Sequence, residues 1–118
     1  IMPYIKVQTN KELSDDRKKE IMQDLTDFVS KELGKPKKFI MAVIQNSQSM
    51  IFGGSFDPLA YVELRSIRLP HNRTKSLSQS IAGFIKDQMN IDSERIFINF
   101  TDVEPHLWGY NSDTFSKK

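Results

Sequence analysis

Cysteine is absent from the 118 residues, so the chain has no disulfide, no thiolate metal site and no cysteine nucleophile. Stability must come from a packed core, and a chain of this length can bury roughly two-thirds of the surface it exposes when unfolded. Histidine is scarce. The two present, His71 and His106, have no neighbours at metal-ligand spacing, and no cofactor is expected. Long apolar runs are missing too: none approaches the roughly 20 residues that cross a bilayer. The first residues carry neither the apolar stretch nor the small-residue cleavage site of a secretory signal. Neither sign of charge prevails. Lys+Arg 17 against Asp+Glu 15 leaves +2, too even for a nucleic-acid or membrane footprint. Gly53-Gly54-Ser55 lacks the lysine of a phosphate-binding loop, and no Gly-x-Ser-x-Gly elbow occurs. The expectation is one domain over residues 1–118, cytoplasmic, with no nucleic-acid or membrane partner and with export lacking a signal peptide left open.

What is present reads as two similar halves. Residues 4–9 alternate, with Tyr4, Lys6 and Gln8 on one side and Ile5, Val7 and Thr9 on the other, as a strand does. Ser14-Asp15-Asp16 is a helix start, a capping hydroxyl followed by two acids that suit the helix dipole. Ile21, Leu25, Phe28, Val29 and Leu33 make one apolar stripe; Gly34 ends the helix and Pro36 prevents its resumption. Residues 38–45 form a continuous apolar run, a well-buried strand. A loop over residues 46–58 leads to a strand at 59–67. Pro70-His71-Asn72 opens a second helix with Leu77, Ile81, Phe84, Ile85 and Met89 on one face, and residues 95–103 form the last strand. From Glu104 the tail is aromatic and rich in turn residues.

Tyr4-Ile5-Lys6-Val7 matches Tyr61-Val62-Glu63-Leu64, and Lys38-Phe39-Ile40-Met41 matches Arg95-Ile96-Phe97-Ile98, both pairs 57 residues apart. Equal offsets around a helix predict an α+β fold from a duplicated βαβ unit, with halves of about 3–58 and 59–118 and right-handed crossovers. The result is a four-stranded mixed sheet with two helices on one face. The other face has no helix to cover it, which predicts a homo-oligomer in which subunits cover each other and the tail aromatics help close the interface.

Pro3 follows Met2 directly. If translation starts at Met2, removal of that methionine leaves Pro3 with a secondary amine. A terminal amine ordinarily titrates near about 8. Burial and a nearby lysine both lower it toward neutrality, where it can act as a general base. The competing reading is a proline that merely starts a strand.

Met2-Pro3-Tyr4-Ile5, Thr9-Asn10, Leu33-Gly34-Lys35-Pro36, Met50-Ile51-Phe52-Gly53-Gly54-Ser55, Ser66-Ile67, Arg95-Ile96-Phe97-Ile98-Asn99-Phe100, and Asn111 with Thr114-Phe115 occur in that order along essentially the whole chain. Together they resemble the macrophage migration inhibitory factor family of the tautomerase superfamily. The resemblance implies a homotrimer of duplicated βαβ units with sites at subunit interfaces. The implied activity is keto–enol tautomerisation of phenylpyruvate-like 2-keto acids. Pro3 matches the family's general base, and Lys35 the lysine that binds the substrate carboxylate and lowers the proline pKa. Ile67 matches a residue whose backbone N–H meets that carboxylate, and Asn99 an asparagine contributed by a neighbouring subunit. Phe39, Phe97, Trp108, Tyr110 and Phe115 match an aromatic pocket. An alternative from another class is a cytokine-like binding or signalling protein with a vestigial pocket. A ferredoxin-like RNA-binding module also has two βαβ units, but residues 95–100 lack its Gly-aromatic strand pattern.

The sequence departs from the family pattern at several positions. Phe97 stands where mammalian members have tyrosine, so a hydroxyl is missing. Leu59-Ala60-Tyr61-Val62 replaces their Cys-x-x-Cys, which rules out thiol oxidoreductase chemistry. Arg65 stands where they have histidine. Ile1 reads as a residue added ahead of Met2. While Ile1 and Met2 are retained, the Pro3 nitrogen is an amide, and proline-dependent catalysis is expected to be absent.

Overall fold

The computed structural model describes residues 2–116; Ile1, read above as an added residue, lies outside them. Strand β1 (Tyr4–Thr9) shows the alternation expected of it, with Ile5, Val7 and Thr9 buried and Tyr4, Lys6 and Gln8 on the opposite side. Helix α1 (Asp15–Leu33) starts where Ser14 accepts a hydrogen bond from the Arg17 N–H, with Asp15 and Asp16 in its first turn. It ends at Gly34, whose φ of 63° is left-handed and whose N–H donates to the Ser30 carbonyl. Strand β2 (Met41–Gln45) is shorter than the apolar run suggests. Pro36 is followed by a 3-10 turn, Lys37–Phe39, and the Ile40 N–H bonds back to the Lys37 carbonyl at 3.0 Å. Hydrophobicity alone does not distinguish such a turn from a strand.

The second half repeats the plan. Strand β3 (Ala60–Ile67) leads through a 3-10 turn (His71–Arg73) into helix α2 (Thr74–Met89), which begins one turn later than Pro70-His71-Asn72 implies. Strand β4 (Ile96–Val103) follows, one residue shorter than expected because Arg95 closes a 3-10 turn. The tail folds into a hairpin of two short strands, β5 (Gly109–Tyr110) and β6 (Asp113–Thr114), joined through Asn111 and Ser112 at φ 52° and 62°.

The main sheet runs β2-β1-β3-β4. The outer pairs are parallel and the central β1–β3 pair is antiparallel, so two βαβ halves meet edge to edge. Both helices lie on one face. They run antiparallel: Arg17 near the start of α1 bonds Gln88 near the end of α2, and Glu32 at the end of α1 bonds Arg73 before α2. Phe28 and Phe84 meet between them with ring centroids 4.8 Å apart. The core lies beneath them, where Ile5, Val7, Val62 and Leu64 from the sheet meet Ile21, Leu25, Ile81 and Ile85 from the helices.

The uncovered face is more polar than the continuous apolar run over residues 38–45 suggests. Its rows across the sheet are Val43–Lys6–Glu63–Asn99 and Met41–Tyr4–Arg65–Thr101. Charged and amide groups therefore occupy its centre, with apolar side chains around them. Lys6 and Glu63 are both cross-strand neighbours and repeat equivalents, so the relation between the halves passes through this pair.

Candidate active site

Pro3 is buried just ahead of β1, and its carbonyl accepts the Met41 N–H at 3.1 Å, which fixes it between two strands. It opens onto a groove of about 610 Å³ that climbs from the sheet's uncovered face toward the tail. Phe39, Met41, Val103, Leu107 and Trp108 supply apolar walls, and Lys6, Glu63 and Arg65 supply the charged floor. The register explains the floor: Arg65 is the cross-strand partner of Tyr4, next to Pro3, and Glu63 is the partner of Lys6. The Arg65 guanidinium lies 3.7 Å from the Glu63 carboxylate and remains half exposed. A base at Pro3, apolar walls for a ring and cations for an acid group would suit a small organic acid.

Of the residues singled out above, Pro3, Phe39 and Trp108 come together in this groove. Tyr110 and Phe115 form an adjoining cluster. Tyr110 stands edge-on to Phe39 at 6.0 Å and stacks on Phe115 at 5.7 Å. Ile67 is buried at the end of β3, beside its partner Val103 of the groove wall. Lys35 is held by the helix cap, its N–H donating to the Ser30 carbonyl and its own carbonyl accepting from Ser30 Oγ. It is not among the groove-lining side chains of a single chain. Asn99 and Phe97 are exposed on the uncovered face. Phe97 lies four residues before Thr101, the residue level with Arg65, hence about 13 Å along the strand. Within one chain it packs on Phe52 at 4.5 Å instead.

Sequence reasoning missed Tyr4, Lys6, Met41, Glu63, Arg65, Val103 and Leu107 as groove residues. Alternation put Tyr4 and Lys6 on one side of their strand. Only the antiparallel pairing of β1 with β3 brings Glu63 and Arg65 beside them.

A carboxylate borders the site. Asp102, next to Val103, accepts from His71 Nε2 at 2.6 Å and from the Leu69 N–H at 3.2 Å. The His71 hydrogen bond, then that of Leu69, holds the Asp102 carboxyl below the usual carboxylate range. A carboxylate favoured in the folded state adds stability above its unfolded value, about 3.9, and loses it as pH falls through the lower folded value. In urea titrations, Asp102→Asn should therefore fall short of the parent at neutral pH. That gap should close on acidification below about pH 4. A gap that does not depend on pH would remove this role.

The family model described as macrophage migration inhibitory factor (MIF) matches residues 2–116. A macrophage migration inhibitory factor from Xenopus tropicalis is 37% identical over 116 residues, covering 98% of this chain and 100% of that protein. A homolog from Brugia malayi is 30% identical over 115 residues, covering 97% and 99%. Among solved structures, a macrophage migration inhibitory factor homologue from Prochlorococcus marinus superposes with a TM-score of 0.89 at 35% identity, covering 96% of this chain and 99% of that one.

Proposed function

The chain belongs to the macrophage migration inhibitory factor family, and from that premise we propose that it is a keto–enol tautomerase of phenylpyruvate-like 2-keto acids. The observation that carries this reading is the burial of Pro3 at the head of a groove with aromatic walls and a cationic floor. In a chain that begins at Pro3, the secondary amine takes a proton from the carbon beside the keto group while the carbonyl oxygen gains one from water. In the reverse direction the nitrogen returns its proton to carbon. No electrons are gained or lost overall, so the chemistry asks only for a base near neutral pKa, an oriented acid group and a dry site. Phe39 and Trp108 flank the ring of the substrate, with Tyr110 and Phe115 behind Phe39.

The site is completed in a homotrimer. Lys35 and the Ile67 N–H hold the substrate carboxylate, while Asn99 and Phe97 reach the site from a neighbouring copy. The exposure of Asn99 and Phe97 on the uncovered face, and the distance of Phe97 from the Pro3 end of its own sheet, support that assignment. Phe97 has no hydroxyl, so it can only pack against the ring.

The test uses protein beginning at Pro3 and the enol of phenylpyruvate. Lys35→Ala should raise KM by about tenfold, because the carboxylate loses its partner, with a smaller fall in kcat as the Pro3 amine loses the neighbouring charge that lowers its pKa. Acceleration no greater than that of buffer would refute the tautomerase reading and leave a binding protein with a relic pocket.

A further inference from the structure

The floor of the groove beside Pro3 holds two cations, Lys6 and Arg65, to which the function above gives no individual role, since Lys35 and the Ile67 N–H hold the one carboxylate of its substrate. Lys6 and Arg65 stand on neighbouring strands of its floor, with Glu63 between them as the only anion of the lining. Glu63 is the cross-strand partner of Lys6 and lies 3.7 Å from the Arg65 guanidinium. One carboxylate thus faces two cations, and the floor carries an excess of one positive charge. The Arg65 side chain is 52% exposed and Glu63 27% exposed, and Arg65 is among the residues that line the groove. At 3.7 Å the contact is a loose one, longer than a charge-assisted hydrogen bond. A guanidinium offers five N–H groups in a fixed fork, and one loosely placed carboxylate does not exhaust them.

We propose that Arg65, with Lys6 beside it, forms a second anion position in the groove, so that the preferred substrates are keto acids bearing a second acidic group. This rests on the tautomerase reading, since it names the substrate class of that same site. One acid group is held as described above, and the second lies on the floor, where Arg65 binds it in a forked contact and Lys6 adds charge. The aromatic part of such a substrate spans the apolar wall between them. Arg65 would be a specificity-determining residue: it takes no proton from the substrate and discriminates by charge.

The probes are phenylpyruvate and (4-carboxyphenyl)pyruvate, which share a ring and a reaction and differ by one carboxylate. With protein beginning at Pro3, kcat/KM for the diacid should exceed that for the monoacid by about tenfold, the scale of one charge-assisted hydrogen bond. The advantage should reside in KM and fade with added salt. Arg65→Gln should bring the ratio to about one, and Arg65→Lys should restore part of it. Glu63→Gln should raise the ratio, because it removes the carboxylate that competes for Arg65. A ratio near one in the parent, or one unchanged in Arg65→Gln, would overturn the proposal.

Binding is read in parallel from the fluorescence of Trp108, the one tryptophan, which lines the groove. If neither acid is turned over but the diacid still binds more tightly and Arg65→Gln abolishes the difference, the tautomerase reading fails and the anion position stands. If both acids are turned over with equal efficiency and bound equally, the tautomerase reading stands and the anion position fails.

Discussion

Protein that begins at Pro3 is expected to convert the enol of phenylpyruvate at least about a hundredfold faster, in kcat/KM, than protein that keeps Met2, since a positioned general base contributes about 10²–10⁴. With Met2 attached, the proline nitrogen is a tertiary amide whose lone pair is delocalised into the carbonyl, and it cannot accept a proton at neutral pH. The structure adds a steric component. Met2 is 6% exposed and walls a cavity of about 180 Å³ with Lys38, Phe39, Ile40, Met41 and Tyr110, directly behind the aromatic side of the groove. Its removal both creates the base and enlarges the apolar space available to an aryl ring. Pro3 itself should stay in place, because its carbonyl remains bonded to the Met41 N–H and burial keeps its ring between β1 and β2. The loss in the Met2 form should therefore appear in kcat as well as KM. Equal rates for the two forms would eliminate Pro3 as the base, whatever the groove binds.

The strands, helices and duplication were legible because each rests on local patterns. The alternation over residues 4–9, the stripe from Ile21 to Leu33 and the 57-residue offset all report which side of an element is buried. The fold class followed, down to the mixed sheet and the single helical face. Residues 38–40 belong to a turn and its exit and not to the strand that their apolar character suggests, because a turn after Pro36 can be as apolar as a strand. The floor of the groove was not legible for a different reason. Arg65 meets Tyr4 and Glu63 meets Lys6 through the antiparallel pairing of β1 with β3; the repeat offset makes Lys6 and Glu63 equivalents but does not by itself say that these two strands are neighbours. Pro3, Phe39 and Trp108 were found together through family resemblance. The same resemblance named Phe97 and Asn99, neither of which lines the groove of a single chain.

Arg95→Met is expected to destabilise the fold by about 2–3 kcal/mol, the worth of a few charge-assisted hydrogen bonds after partial replacement by water. Arg95 ends the 3-10 turn before β4 and reaches back over the loop between β2 and β3. Its guanidinium donates to the carbonyls of Phe52 at 2.7 Å, Asp57 at 2.9 Å and Ser55 at 3.1 Å, with a longer contact to Pro58 at 3.4 Å. The same group lies 5.2 Å from the centre of the Phe52 ring. The Phe52 and Ser55 carbonyls belong to a tight turn in which these two residues bond each other around Gly53 and Gly54, both at positive φ, and those of Asp57 and Pro58 follow it in the loop. Methionine fills similar space but has no N–H to offer, so the carbonyls must turn to water and the turn must open. Arg95→Lys should recover less than half the loss, since one ammonium cannot span acceptors that a planar fork reaches together. Phe52 also carries Phe97, with ring centroids 4.5 Å apart, so loosening the turn should free Phe97 at the edge of the sheet. If Phe97 is offered to a neighbouring copy, Arg95→Met should lower the urea midpoint, speed proteolysis within residues 52–58 and shift sedimentation toward the monomer together. A lowered midpoint with unchanged assembly would separate the turn from the interface. An unchanged midpoint would show that water serves these carbonyls as well as the guanidinium does.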